Sequence, residues 1–294
     1  MRARAPASSA NLGPGFDVLA VALDRYVEVE VEPADRLSVH TEGEGAGLSD
    51  SVSHLAARVA ASVLGHDRFS LVVRSQIPVA RGLGSSAALA AAAAAAAGAA
   101  DPFDVAARMD GHPDNAAAAV FGGLVVVALV DGAFQAQRMR LDPAIAFVAI
   151  VPDRPLPTEE ARRVLPAVVE RADAAFNLGR LGLLLAGLED HRHLTAASTD
   201  DRLHEPYRRA LFPESTALRS ALSDAGALAT SWSGAGPTVI GITLETDAEA
   251  VAQATRAALG AMSLPGRVLV LRPDAEGLVV GEAATLPTLG DAGS

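Results

Sequence analysis

The 294-residue chain contains no cysteine. Disulfides, thiolate metal sites and a thiol nucleophile are therefore excluded. Lysine is absent as well: all 24 basic side chains are arginine. This rules out a phosphate-binding loop that depends on a lysine, a protein-kinase-type active site and any Schiff-base chemistry. Genomic base composition is the bland explanation of the missing lysine, and the exclusions stand under it too. The longest apolar run is a string of alanines, too short and too weakly hydrophobic for a membrane span. The start, "MRARAPASSANLGPGFDV", has basic residues but no apolar stretch of the kind a signal peptide needs. A soluble cytoplasmic protein is expected. Positive charge is in deficit: the formal net charge of −11 argues against nucleic acid or an anionic membrane as partner.

Half of the residues are apolar, enough for a sizeable core over two domains. Alternating patterns in "YVEVEVEP", "RFSLVVRS", "GGLVVVALV", "AFVAIVP", "TVIGITL" and "RVLVLRP" predict strands. Helical patterns fill "SHLAARVAASVLG", "SAALAAAAAAAAGA", "DPFDVAARM", "STALRSALSDAG" and "DAEAVAQATRAALGA", and one long run, "TEEARRVLPAVVERADAAFNLGRLGLLLAGL". The elements do not alternate as repeated strand–helix–strand units, which predicts an α+β fold. "RMRLDPAIA" reads as a seam, giving domains of residues 1–141 and 142–294, and residues 285–294 read as a frayed tail.

The stretch "IPVARGLGSSAA" carries a glycine-rich turn between a strand and a helix. Pro78 closes the strand region, and Gly82 and Gly84 permit positive φ and close approach of a ligand to the backbone. Ser85 and Ser86 open the helix, where unpaired N–H groups favour an anion. Helix capping alone would also place serines there. Two further glycine-rich turns accompany it. "PASSANLGPGFDV" holds Asn11 and Asp17, and "SWSGAGPTVIGI" holds Gly234 and Gly236.

Three such turns in this order resemble the motifs of the GHMP kinases. The stretches "SSANLGPGFD", "IPVARGLGSSAA", "GHPDNAAAAVFGGL", "TEEARRVLP", "HEPYR" and "SGAGPT" resemble the homoserine kinases within that superfamily, over residues 6–281. The resemblance implies an N-terminal domain like domain 2 of ribosomal protein S5 and a ferredoxin-like C-terminal domain. It implies ATP- and Mg²⁺-dependent phosphorylation of the side-chain hydroxyl of L-homoserine, on the route to threonine, by a homodimer. Alternatives are another small-molecule GHMP kinase of a specialised pathway, or a non-catalytic binding protein with the same fold.

By this resemblance Asn11, Asp17, His112, Asp114, Asn115 and Gly234 line the amino-acid site, and Arg162 and Arg208 grip the substrate carboxylate. The planar guanidinium fork suits a carboxylate, whereas the neighbouring Arg163 and Arg209 are expected on solvated faces. Pro78, Arg81, Gly82, Leu83, Gly84, Ser85 and Ser86 form the nucleotide loop, with Thr158 near the phosphates and His54 near adenine. The family motif has glutamate before Gly-His-Pro-Asp-Asn; this chain has Asp110, one methylene shorter. Ser86 and Asp110 are the expected magnesium ligands, and Ser86, Asp110, Asp17 and Arg162 the expected catalytic group. The alanine run at residues 90–97 is expected to be a tightly packed helix behind the loop.

Overall fold

Alternate burial in strand β4 (Phe69–Ser75) puts Phe69, Leu71, Val73 and Ser75 inward and the residues between them outward. In the second half of β2 (Gly15–Pro33) Val27, Val29 and Val31 are buried likewise, and Glu28 between them is buried too, paired with Arg2. The computed structural model describes residues 1–47, 51 and 53–281. The proposed tail lies outside the described residues.

The N-terminal half is built on a seven-stranded sheet that also holds β1 (Arg2–Asn11), β3 (Ser38–Gly43), β5 (Leu124–Val130), β6 (Ala133–Met139) and β11 (Val279–Gly281). Nineteen residues long, β2 serves two groups of partners. Its first half pairs with β5, its second half with β4, and β1 runs antiparallel along the whole of it. Helices α1 (Leu55–Leu64), α2 (Ser85–Ala96), α3 (Pro102–Asp110) and α4 (Pro113–Phe121) cover this sheet. The alanines of α2 are buried almost throughout, so the helix has no solvent face. Methyl side chains let it lie close to the sheet and to α1, α3 and α4 together.

The C-terminal half begins with β7 (Ile145–Pro152) and continues through α5 (Thr158–Arg163), α6 (Arg171–Glu189), α7 (Glu205–Arg208) and α8 (Ser215–Asp224). It ends with β8 (Ala229–Trp232), β9 (Val239–Leu244), α9 (Ala248–Ala261) and β10 (Gly266–Leu271). The sheet order β10-β7-β9-β8, all antiparallel, is the ferredoxin-like arrangement. Alternation along β7 divides the interior. Phe147, Ala149 and Val151 pack into the core of the N-terminal half, while Ala146, Val148 and Ile150 meet Leu218, Leu222, Val251 and Ala252 of α8 and α9. Among the described residues no helix is long and apolar enough to cross a membrane.

Two expectations differ from this architecture, and one strand went unread in the sequence. The long helical run from Thr158 is two helices, because Pro166 cannot donate into a helix and the β-branched Val168 and Val169 follow it. The boundary near residue 141 falls between β6 and β7, but the second half does not stay apart. Strand β11 returns to pair with β1, and the two halves share a core. Finally, "RARAPASSAN" is a strand despite its alanines, serines and Pro6. Pairing on both sides outweighs its poor intrinsic preference, and the register shifts beside Pro6.

Candidate active site

A cleft of about 480 Å³ lies where the three glycine-rich turns meet, and every site residue named from the sequence lines it. One wall is the loop between β4 and α2. Gly82 and Gly84 both have positive φ. A Cβ on Gly82 would strike the Ser233 carbonyl, and one on Gly84 the Ser8 hydroxyl. These glycines thus answer to packing between motifs as well as to backbone conformation.

The interlock is explicit. Ser8 N–H donates to the Leu83 carbonyl at 3.1 Å and the Ser233 hydroxyl to the Gly82 carbonyl at 2.6 Å. Gly234 N–H donates to the Ala10 carbonyl at 2.9 Å, and Asn11 Nδ2 returns a bond to the Gly234 carbonyl at 2.8 Å. Asn11 Oδ1 also accepts from Asp17 N–H at 3.0 Å, so its amide braces the first turn against the third. Gly84 is the N-cap of α2, and neither Ser85 nor Ser86 caps the helix. Both hydroxyls and the first amides of α2 are thereby left for the cleft, at the positive end of the helix. Arg81 lines the cleft, but its guanidinium donates to the carbonyls of Val79, Pro152 and Asp153. It ties the loop to the end of β7 and is not aimed at a phosphate.

The opposite end is charged. Arg162, in the last turn of α5, donates bidentately to Asp17 at 2.7 and 3.0 Å. The two side chains are 37% and 40% exposed, open to exchange with a ligand. Arg162 Nε also approaches His112 Nε2 at 3.4 Å, while His112 Nδ1 bonds Asp110 at 3.0 Å. That hydrogen bond holds the His112 pKa above its ordinary value. Asp114 is buried at the start of α4, and burial, with the Asp17 charge adding to it, pushes its carboxyl up to about 6. It accepts from Asn115 N–H, and Asn115 Oδ1 in turn accepts from the Ser8 hydroxyl at 2.8 Å.

Arg208 is 1% exposed. It donates to the carbonyls of Ala161 and Gly234 and to His204 Nδ1 at 3.0 Å. Burial, with the charge of Arg162 beside it, draws its pKa down to about 10. Arg163 and Arg209 point to solvent, as expected.

Two residues of this end escaped the sequence reading. His204 is fully buried, and its Nε2–H donates to the Gly13 carbonyl at 2.8 Å while Nδ1 accepts from Arg208. Burial keeps it neutral, with a pKa drawn down to about 4. Phe16 stacks on His204 at 5.1 Å and lies under both guanidinium groups, 5.9 Å from Arg162 and 5.4 Å from Arg208. Both stand inside quoted motifs, Phe16 beside Asp17 and His204 at the head of "HEPYR", but apolar and neutral side chains gave no chemical signal there. The other end of the cleft, lined by Thr41, Leu55, Val73 and Leu89 beside His54, was equally silent in the sequence apart from His54. Thr158 opens α5 on the same cleft.

Comparison with known proteins agrees with this geometry. Residues 51–123 match the GHMP kinase N-terminal domain and residues 172–261 the GHMP kinase C-terminal domain. A homoserine kinase of Desulfitobacterium hafniense is 36% identical over 95% of this chain and 99% of its own length. One from Mycolicibacterium smegmatis is 42% identical over 82% of this chain and 84% of its own. The crystal structure of homoserine kinase from Cytophaga hutchinsonii superposes with a TM-score of 0.81 at 25% identity, covering 96% of this chain and 97% of that one. With the interlocked glycine turns, the ferredoxin-like second half and full-length relatives of one kind, the chain belongs to the homoserine kinases of the GHMP kinase superfamily.

Proposed function

We infer that this chain transfers the terminal phosphoryl group of ATP to the side-chain hydroxyl of L-homoserine, giving O-phospho-L-homoserine on the route to threonine. The observation that carries the acceptor is the Asp17–Arg162 pair beside buried Arg208. A carboxylate and two guanidinium groups facing one cleft are the electrostatic complement of a zwitterionic amino acid. The substrate ammonium takes Arg162's place on Asp17, and the substrate carboxylate takes the fork of Arg162 and the Nη2 of Arg208, the one nitrogen of that group bound to no described residue. One internal ion pair is exchanged for two, which limits the desolvation cost of binding. Neither mevalonate nor a sugar offers both charges.

The amides of residues 82–86 cradle the phosphates of ATP at the start of α2. The half-apolar end near Leu55, Val73 and His54 receives the base. Asn11 and Asp114 orient the acceptor so that its hydroxyl faces the terminal phosphate. Catalysis is then positioning and charge stabilisation more than covalent chemistry. The residues fit a magnesium ion: the Ser86 hydroxyl and the Asp110 carboxylate are hard oxygen donors on the same cleft. His112 braces one oxygen of Asp110, and the other accepts no hydrogen bond from a described residue. A bound magnesium ion would offset negative charge on the phosphates there.

ADP release measured with homoserine, mevalonate, galactose and 4-hydroxybutyrate tests the reading. Homoserine alone should support turnover, because a site built for a charged group rejects an analogue lacking it by up to ~10⁴-fold. Equal turnover of 4-hydroxybutyrate would overturn the role given to Asp17.

A further inference from the structure

Glu205, the second residue of "HEPYR", does not line the cleft, yet it is only 3% exposed. An unpaired buried carboxylate is costly, and both oxygens of this one are engaged. One accepts from Trp232 N–H at 2.8 Å and the other from Arg219 Nη1 at 2.6 Å. Arg219, on α8, also donates from Nη2 to the Thr230 carbonyl at 2.7 Å and from Nε to the Thr230 hydroxyl at 3.2 Å.

The partners explain the place. Among the described residues β8 is an edge strand of the second sheet, paired with β9 alone. Buried backbone groups need partners, and here the Trp232 N–H and the Thr230 carbonyl find side chains instead of a further strand. Trp232 leads directly into Ser233 and Gly234 of the third glycine-rich turn. Helix α7 is a single turn of four residues, too short to persist without outside contacts. The Asp201 carboxylate fixes its start, accepting from His204 N–H at 2.8 Å and Glu205 N–H at 2.7 Å. The contacts then close a ring. Glu205 holds Trp232, the Gly234 carbonyl two residues on accepts from Arg208 Nη1 at 3.1 Å, and α7 joins Arg208 back to Glu205.

We propose that Glu205, clamped by Arg219, is a positioning residue for the acceptor. It fixes α7 against the third glycine-rich turn and so sets where the Arg208 guanidinium meets the substrate carboxylate. This rests on the reading of Arg208 as a carboxylate ligand. A carboxylate suits the task because its two oxygens accept from donors on two different elements, α8 and β8. Glutamine has the same size but one acceptor oxygen. Glu205→Gln must therefore give up one of the two bonds and turn its amide N–H groups toward a donor.

Initial rates of the full chain over a homoserine series at saturating ATP test this. Glu205→Gln should raise the KM for homoserine roughly 5- to 10-fold, with kcat within about two-fold and the Kd for ATP unchanged. A merely structural role would lower the thermal midpoint and leave that KM alone. Arg219→Met removes the charge beside Glu205 and should shift KM in the same direction. Arg219→Lys keeps the charge and should stay close to wild type. Glu205→Gln added to Arg208→Lys should cost little beyond Arg208→Lys, because both act through one side chain. An unchanged KM in both Glu205→Gln and Arg219→Met overturns the proposal. So do losses that multiply in the double variant. A wild type that does not phosphorylate homoserine overturns the acceptor reading instead, and crystal structures of wild type and Glu205→Gln then read the placement directly. The Arg208 guanidinium should leave the Gly234 carbonyl in the variant, and one that stays there overturns the proposal whatever the acceptor.

Discussion

At the start of α2 the cleft is lined by backbone. Gly82 and Gly84 sit at positive φ against Ser233 and Ser8, and the binding groups are amides and small hydroxyls. At the far end it is lined by charged side chains, Asp17, Asp114, Arg162 and Arg208, carried on four separate elements. The first end is a matter of shape, which one methyl group can destroy. The second is a matter of charge, which substitution can grade. Within it the two arginines differ again. Arg162 is half exposed and paired with Asp17, while Arg208 is buried and held by carbonyls and His204.

The largest effect should come from Gly82→Ala. The added Cβ meets a backbone carbonyl that cannot swing aside, at a residue already in left-handed conformation. A loss of roughly 2–4 kcal/mol in urea unfolding is expected, with ATP binding abolished by calorimetry. Gly65→Ala shares the positive φ but has nothing within 4 Å of its Cβ. It should cost about 1–2 kcal/mol and leave ATP binding intact. Similar losses from both would break the contrast between shape and charge.

The arginines come next. Hydrogen bonds to a charged group contribute about 1.5–3 kcal/mol, so replacement by lysine should lower kcat/KM for homoserine by roughly 10- to 150-fold. Arg208→Lys belongs at the upper limit. Burial already draws that guanidinium down to about 10, and an ammonium, with a lower intrinsic pKa, would be driven toward neutrality there. Arg162→Lys belongs at the lower limit, because half-exposed groups are partly hydrated. ATP affinity without homoserine should be unchanged in both, and Arg163→Lys and Arg209→Lys should be neutral. Loss of ATP binding in Arg208→Lys would show that the two ends are not separable.

Asp114 sharpens the comparison through stability. Its folded pKa of about 6 exceeds the ordinary 3.8, so the folded chain retains a proton that the unfolded chain has lost. The stability this contributes is full below about pH 4 and is lost as pH rises through about 6. Above that, the buried charge is a standing cost. Asp114→Asn should therefore match wild type near pH 4 and exceed it by about 2–3 kcal/mol at pH 7, read from denaturant midpoints at several pH values. A constant difference across that range would refute the assignment.

The smallest effect tests His204 as a positioning residue for Arg208. His204→Gln keeps one donor for the Gly13 carbonyl and one acceptor for Arg208, and should raise the KM for homoserine only a few-fold with kcat little changed. His204→Ala removes both, and should approach the loss seen in Arg208→Lys. Equal damage from the two substitutions would reduce His204 to packing against Phe16.

The glycine end was legible because its chemistry is local. Positive φ, helix opening and paired serines occupy consecutive positions, and "ARGLGSSAAL" displays them together. The charged end was legible only through resemblance, since Asp17 and Arg162 are 145 positions apart and nothing in either segment names the other. Phe16 and His204 were missed for the same reason. An aromatic ring and a neutral imidazole acquire a role only once two arginines are folded around them. Arg81 shows the reverse error: it lies inside the loop motif, yet it spends its donors on the end of β7.

By itself the sequence determined the residue types available for chemistry, with arginine the only fixed cation and no thiol, and it determined the local conformations that glycine and proline permit or forbid. Those properties belong to single residues and short segments, and the rest of the fold does not change them. Only the tertiary structure decided which arginine is buried and which is half open, which carboxyl is pushed toward neutrality, and where the two halves of the chain share one core. Burial and pairing are relations between segments distant in sequence, and their energies do not exist until packing has removed the water between them.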